Sequence, residues 1–311
     1  MQALADVILP VFLVLGAGWL AARFGLIAPA GVDGLMRFAQ GVALPCLLFR
    51  SIARLDFGTA FDPALMGAFY GGVLAAYLAG IAAALWAFRR SLPDALAIGF
   101  ASAFSNSLLL GLPITDRAYG TDALGPIYAI LSVHAPVLYA VGITAMELAR
   151  SRGQGRGLAV LVGRVARAIL SQPLVIGILA GAAVNLGGLG VPGIAWSAID
   201  LLVAAAIPTA LFGVGGVLTR YRIAGDGRAI AAVCAISLLL HPAVTWALGQ
   251  WFGLTTGQLR SAVVTAAMAP GVNAYLYAHL YGHATRVSAS AVLFGTGACI
   301  LTAWGWLAVL P

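Results

Sequence analysis

The sequence predicts an all-α polytopic membrane protein. It predicts ten transmembrane helices in two inverted five-helix repeats, with the fourth and ninth helices broken and crossing. Three observations lead there. The 311 residues are 62% hydrophobic and 9% charged, with a mean hydropathy of +1.00; a soluble domain carries roughly 25% charged residues. Two apolar segments, Ala103–Gly120 and Ala266–Gly282, each hold a proline near the middle (Pro113, Pro270) and an asparagine nearby (Asn106, Asn273). Short motifs also recur in order along the chain at an almost constant offset.

A spanning helix needs about 20 mostly apolar residues. By that rule the spans are Leu4–Phe24, Gly34–Ile52, Ala64–Phe88, Asp94–Tyr119 and Ala123–Leu148, then Val165–Leu186, Ile194–Leu218, Arg228–Phe252, Gln258–Tyr281 and Val287–Leu310. The first is not a secretory signal, because no basic residue precedes it and it is too long. Proline lacks an N–H and clashes with the carbonyl four residues back. Pro113 is therefore expected to break the fourth span and free the Leu109 carbonyl, and Pro270 to break the ninth and free that of Ala266. In hydrocarbon, freed carbonyls must be buried in protein or line a cavity. Broken helices in corresponding positions of two halves point to a transporter's binding site. Pro45 and Pro208 are expected to kink the second and seventh spans beside the crossing, with Ser51 near the end of the second. Glycines at GxxxG spacing, Gly67/Gly71 and Gly177/Gly181, are candidates for close helix contacts.

The repeat rests on ALPCLLF (43–49) against AIPTALF (206–212). Pro45 and Pro208, Pro10 and Pro173, and Gly18 and Gly181 are each 163 residues apart, and Gly120 and Gly282 are 162 apart. Residues 1–150 then form the first repeat, 151–164 a cytoplasmic linker and 165–311 the second. Five spans is an odd number, so the second repeat is upside down. Connections after odd-numbered spans hold thirteen arginines and the opposite side four. Basic residues gather on the cytoplasmic side. Both termini are thus expected outside and the Ser151–Gly157 loop in the cytoplasm.

All 17 basic residues are arginines, which removes any lysine Schiff-base chemistry, and their spread in ones and twos is no nucleic-acid signal. Cys46, Cys234 and Cys299 lie in apolar runs without metal or disulfide spacing. Nucleophile-elbow, zinc-protease and phosphate-loop motifs are missing, so no enzyme and no cofactor is expected. Asn106 and Asn273 sit mid-span beside the breaks. An unpartnered amide costs roughly 2–7 kcal/mol in an apolar medium, so each must serve the broken backbone or a ligand. Half-helix N-termini at the breaks favour an anion without any buried lysine or arginine. His134, mid-span in SVHAP, could bind that anion or carry a proton. His241 reads as structural, Arg50 as snorkelling at the end of its span, and the aspartates as solvated helix ends.

At ALPCLLF, FSNSLLLGLPITDRAYG, SQPLVIGILAG, AIPTALFGVG and AAMAPGVNAYLYAHLYG the chain resembles the auxin efflux carrier family, over essentially its whole length. The resemblance implies the fold shared with sodium/proton antiporters and bile-acid symporters, with a scaffold part and a transport part. It implies a crossover carrying Asn106 and Pro113 in one half and Pro270 and Asn273 in the other. The long regulatory loop of plant members is reduced here to a short linker, which points to a bacterial, malonate transporter-like permease of the inner membrane.

The expected function is secondary transport of a small organic anion, a mono- or dicarboxylate such as malonate or an auxin-like acid. Asn106, Pro113, His134, Pro270 and Asn273 would line its site. The alternatives are a sodium- or proton-coupled carrier on the same fold, a membrane receptor without transport, and an intramembrane enzyme. Expected partners are the anion, the lipid bilayer and a coupling ion, sodium or proton. No nucleic acid is expected, and the glycine-rich faces permit a homodimer.

Overall fold

Apolar runs punctuated by prolines, glycines and capping side chains set where the helices start and stop. The computed structural model describes residues 4–150, 158–222, 224 and 226–311. Its helices are α1 (Ala5–Arg23), α2 (Pro29–Ala53), α3 (Pro63–Ala87), α4 (Leu92–Ala103), α5 (Leu112–Tyr119), α6 (Leu124–Arg150) and α7 (Leu158–Leu170). They continue with α8 (Pro173–Leu186), α9 (Gly193–Leu218), α10 (Gly227–Trp251), α11 (Thr256–Ala266), α12 (Val272–Tyr281) and α13 (Thr285–Val309). Seven of these, α1, α2, α3, α6, α9, α10 and α13, are long and apolar enough to cross a membrane. Large apolar side chains such as Leu13, Leu74, Leu78, Leu201 and Leu301 point outward from them, as a bilayer requires. The chain is a multi-pass membrane protein. Asp62, Ser91, Asp226 and Thr255 cap their helices by accepting a backbone N–H of the first turn.

Prolines are absorbed in an orderly way. Wide π-turns at Leu4–Ile8, Ala39–Ala43, Ser107–Gly111 and Ile236–Leu240 each end two residues before a proline: Pro10, Pro45, Pro113 and Pro242. Widening the turn relieves the clash of the ring with the preceding carbonyl. Pro242 cannot donate to the Leu238 carbonyl, and the Trp306 indole donates to it instead at 2.9 Å. Trp306→Phe removes that donor and leaves the carbonyl short of a partner. The expected cost is about 1–3 kcal/mol, read as a lower unfolding temperature of the purified protein. Unfolding at the wild-type temperature would show that another group serves Leu238.

Two helix groups pack side by side. In one, α1 lies on α9 and α8 on α2, with α9 also against α2. In the other, α3 packs on α10 and α4, and α11, α12 and α13 complete the bundle with α6. Close approaches are made at glycine. Gly18 faces the Phe212 carbonyl, and a Cβ at Gly181 would lie 2.6 Å from the Phe49 oxygen. Both GxxxG pairs are true contacts: Gly177 and Gly181 meet the α2 backbone, Gly71 meets Leu248 of α10, and Gly67 meets Phe252 just past its end.

Asp6 and Pro311 are each held by an arginine of the crossing bundle. Arg117 donates twice to the Asp6 carbonyl, at 3.1 and 2.7 Å, and Arg260 donates to the Pro311 carbonyl while lying 4.5 Å over the Tyr119 ring. Arg90 pairs with Asp226 (3.3 Å), Arg220 with Asp33 (2.7 Å) and His283 with Asp94 (3.2 Å). These pairs correct the reading of the aspartates as merely solvated.

The sixth span departs from expectation. It is two helices, α7 and α8, parted at Ser171–Gln172. Pro173 opens α8, and the residue before a proline is driven from helical angles; Gln172 duly has φ −80° and ψ 125°. The polar connection expected over 151–164 is helical from Leu158, and Ser151–Gly157 lies outside the described residues.

Candidate functional site

The site is built where two interrupted helices touch. Between α4 and the π-turn at Ser107, and between α11 and α12, the chain leaves helical geometry. Ser105 and Pro270 form an antiparallel bridge there. The Asn106 N–H donates to the Ala269 carbonyl at 2.8 Å, and the Gly271 N–H to the Phe104 carbonyl at 2.9 Å. Side chains take other carbonyls of the second break. Cys299 donates to Ala267 (3.8 Å), Ser237 to Met268 (3.2 Å) and Ser107 to Thr265 (3.4 Å). The backbone of the crossing is thus held without either asparagine side chain.

The position of the first break corrects the sequence reading. It falls at Phe104–Asn106, not at Pro113. Leu112, the residue before that proline, is helical at φ −58° and ψ −55°, because the preceding wide turn accommodates the ring. The second break does fall at Pro270. Ser105, Asn106 and Ser107 supply the better signal for the first, since short polar side chains compete with the helix for backbone groups.

Past each break a helix starts again at the same place. The N–H groups of Ser107, Leu108 and Leu109 come before the first bonds back to Asn106, and those of Val272 and Asn273 before the first bond back to Gly271. A cavity of about 140 Å³ lies against both starts. Asn106, Asn273, His134, Gln40 and Gln172 line it, with Leu44 and Leu48 of α2 opposite. Among the described residues, no side chain of Asp, Glu or Arg lines it. Asn106 occupies the cap position of the Ser107 turn without making a capping hydrogen bond. Drug-sized ligands occupy roughly 300–1,000 Å³, so this space suits a small acid. His134 is buried, packs on Phe104 (5.1 Å) and Phe69 (5.5 Å), stands near the Ser105 backbone, and makes no ring-nitrogen hydrogen bond of ordinary geometry among the described residues.

The remaining expected residues lie elsewhere. Pro113, Pro208 and Ser51 line a second, open cavity of about 1150 Å³. Arg50 lies there as well, and it is no free snorkelling arginine: its guanidinium pairs with Asp200 at 2.9 Å. Pro270 is buried in the crossing itself. Pro45 sits after the wide turn in α2, where its backbone receives Gly177. Gln40, Gln172 and the serines and cysteine that hold the broken backbone were not foreseen.

Residues 4–307 match the membrane transport protein family. A Rhizobium meliloti (strain 1021) protein named "Putative malonate transporter" is 24% identical over 99% of this chain and 96% of its own length. A Methanothermobacter thermautotrophicus protein named "Uncharacterized transporter" is 27% identical over 76% of this chain and 75% of its own. The mouse lysosomal cholesterol signaling protein is 25% identical over 57% of this chain but only 21% of its own length. The chain belongs to the membrane transport protein family, the auxin efflux carrier permeases.

Proposed function

We propose that this chain is a secondary transporter that carries a small organic anion by alternating access at the crossing of the two broken helices. One observation carries the reading. Two helix starts, each with an asparagine amide not used by the fold, converge on one cavity. Helix starts offer N–H donors and partial positive charge to an anion, and the amides add two donors each. A mono- or dicarboxylate fits the volume. The Rhizobium relative's name makes malonate the first to try, with auxin-like acids beside it.

Two inverted five-span repeats in a bacterial inner membrane complete the proposal, with Asp6 and Pro311 on the outer face. The arginine asymmetry supports that orientation. The helix contacts support the repeat. Gly18 and Phe212 are partners, and so are Gly181 and Phe49; moving either pair by 163 residues, in opposite directions for its two members, produces the other. The α1/α2/α8/α9 group would be the scaffold against which the crossing bundle moves.

Counterflow of labelled malonate in proteoliposomes tests the function. Saturable exchange, competed by unlabelled malonate and by close carboxylates, is the expected result. No exchange of malonate, other mono- and dicarboxylates or indole-3-acetate by folded protein would remove the substrate class.

A further inference from the structure

A second buried histidine lies behind the site. His241 on α10 and His134 on α6 pack against the same ring, Phe69 of α3, at 5.6 and 5.5 Å. They are 0% and 3% exposed. Among the described residues none of the four ring nitrogens makes a hydrogen bond of ordinary geometry, the Ser105 backbone standing near His134, and neither does the Thr245 hydroxyl one turn beyond His241. Gly72 of α3 makes the room: a Cβ there would stand 3.0 Å from the His241 ring. A buried polar atom without a partner is costly. Apolar side chains of similar size would pack this seam at no such cost, so stability does not explain the pair.

We propose that His134 and His241 together carry one proton, and that this proton moves with the transported anion. The inference rests on the transport reading above. His134 lines the cavity where the anion binds, and His241 packs on the same Phe69 ring without lining that cavity. An imidazolium is costly in an apolar interior unless an opposite charge stands near it. An anion at the crossing supplies that charge beside His134. Binding of one then favours binding of the other, and the linkage is reciprocal. Both imidazoles pack on one phenyl ring, and two like charges that close in an apolar interior repel, so the pair holds one proton rather than two. An imidazole N–H bond forms as an O–H bond of hydronium breaks on one face, and the reverse transfer returns the proton to water on the other.

The surroundings leave the pair as the natural carrier. The titratable groups on the helices packed about the pair are Cys46 of α2, Tyr70 and Tyr77 of α3, Tyr128 and Tyr139 of α6, Cys234 of α10 and Cys299 of α13. Tyr70 donates to the Ile130 carbonyl, and Cys234 and Cys299 donate to backbone carbonyls. The Tyr77 hydroxyl is buried without a partner among the described residues, but a phenol keeps its proton at neutral pH. The charged residues of those helices sit toward their ends or face outward: Asp33 against Arg220, Arg37 exposed on α2, Arg50 against Asp200, Glu147 and Arg150 in the last turn of α6, Asp94 against His283, Arg260 against Pro311, Asp226 against Arg90, with Arg228 and Arg286 beside helix starts.

The test uses the full chain in proteoliposomes, with membrane potential clamped and labelled malonate as probe. Two modes are compared: counterflow, which needs no net proton movement, and accumulation driven by an imposed pH gradient, acid on the side of entry. In wild type the gradient is expected to raise accumulation at least fivefold, and a proton ionophore should abolish the rise. His134→Gln and His241→Gln keep a polar side chain but cannot titrate. Both are expected to lose the gradient-driven rise; His241→Gln, which does not line the cavity, is expected to keep counterflow within about threefold. Loss of both modes together in His241→Gln would mark a merely structural role and would overturn the proposal. Gradient-driven accumulation intact in His241→Gln would overturn it too. Counterflow without any gradient effect in wild type defeats proton coupling alone, whereas no counterflow in wild type defeats the transport reading as well.

Discussion

Asn273→Asp is expected to abolish malonate counterflow, by about a thousandfold in apparent affinity, while the protein folds as wild type. Asn273 is the second residue of α12 and lines the crossing cavity. An aspartate in the first turn of a helix suits the helix dipole, worth roughly 0.3–1 kcal/mol, so the fold should accept it. The same charge would stand where the anion binds. Two like charges about 4 Å apart at an effective dielectric near 20 repel by about 4 kcal/mol, and each 1.4 kcal/mol is a factor of ten. Asn106→Asp should behave alike from the other half of the crossing. The alanine variants lose only a hydrogen bond to a charged group, about 1.5–3 kcal/mol, or roughly ten- to a hundredfold. The order aspartate far below alanine, and alanine below wild type, is the signature of an anion site. Counterflow that survives Asn273→Asp in folded protein would place the anion elsewhere.

The apolar runs announced the membrane and nearly every helix, because hydrophobic length is a property of the chain alone. The place of the crossing was legible to within a few residues for the same reason: asparagines and prolines in the middle of apolar segments are costly and must be explained. What was misread is the work of individual prolines. Pro113 could not be told from Pro270 by sequence, yet a wide turn absorbs the first and a true interruption surrounds the second. That difference depends on the neighbours. The Ala267 to Ala269 carbonyls have Cys299, Ser237 and the Asn106 N–H waiting, groups far away in sequence. The two histidines show the same limit. His241 reads as a core residue until the fold sets it on Phe69, the ring that His134 also packs on. Gln172 escaped notice for another reason: a break one residue before a proline inside an apolar run leaves no trace in hydrophobicity.

Two glycines two residues apart in α1 should respond oppositely to the same substitution. Gly16 has nothing within 4 Å of where a Cβ would stand, whereas Gly18 lies against the Phe212 backbone. Gly16→Ala adds a better helix former, worth up to about 1 kcal/mol, and is expected to leave the unfolding temperature unchanged or raise it. Gly18→Ala pushes a methyl into a carbonyl that has no room to rotate away, because Phe212 lies within α9. The helices must separate, and overpacking of this kind costs roughly 1–3 kcal/mol or more. Without water between lipid-facing helices, packing of this kind drives their association, so no hydrophobic force compensates for the lost contact. Gly181→Ala meets the Phe49 carbonyl in the same way and should cost a similar amount. Gly18→Leu and Gly181→Leu are expected to yield no monodisperse protein on size-exclusion chromatography. The equality of the two sites is the informative part. If the halves are inverted copies, Gly18 and Gly181 do one job twice, and their alanine variants should lower the unfolding temperature by similar amounts. A large fall at one and none at the other would mean that the 163-residue correspondence does not extend to the helix contacts.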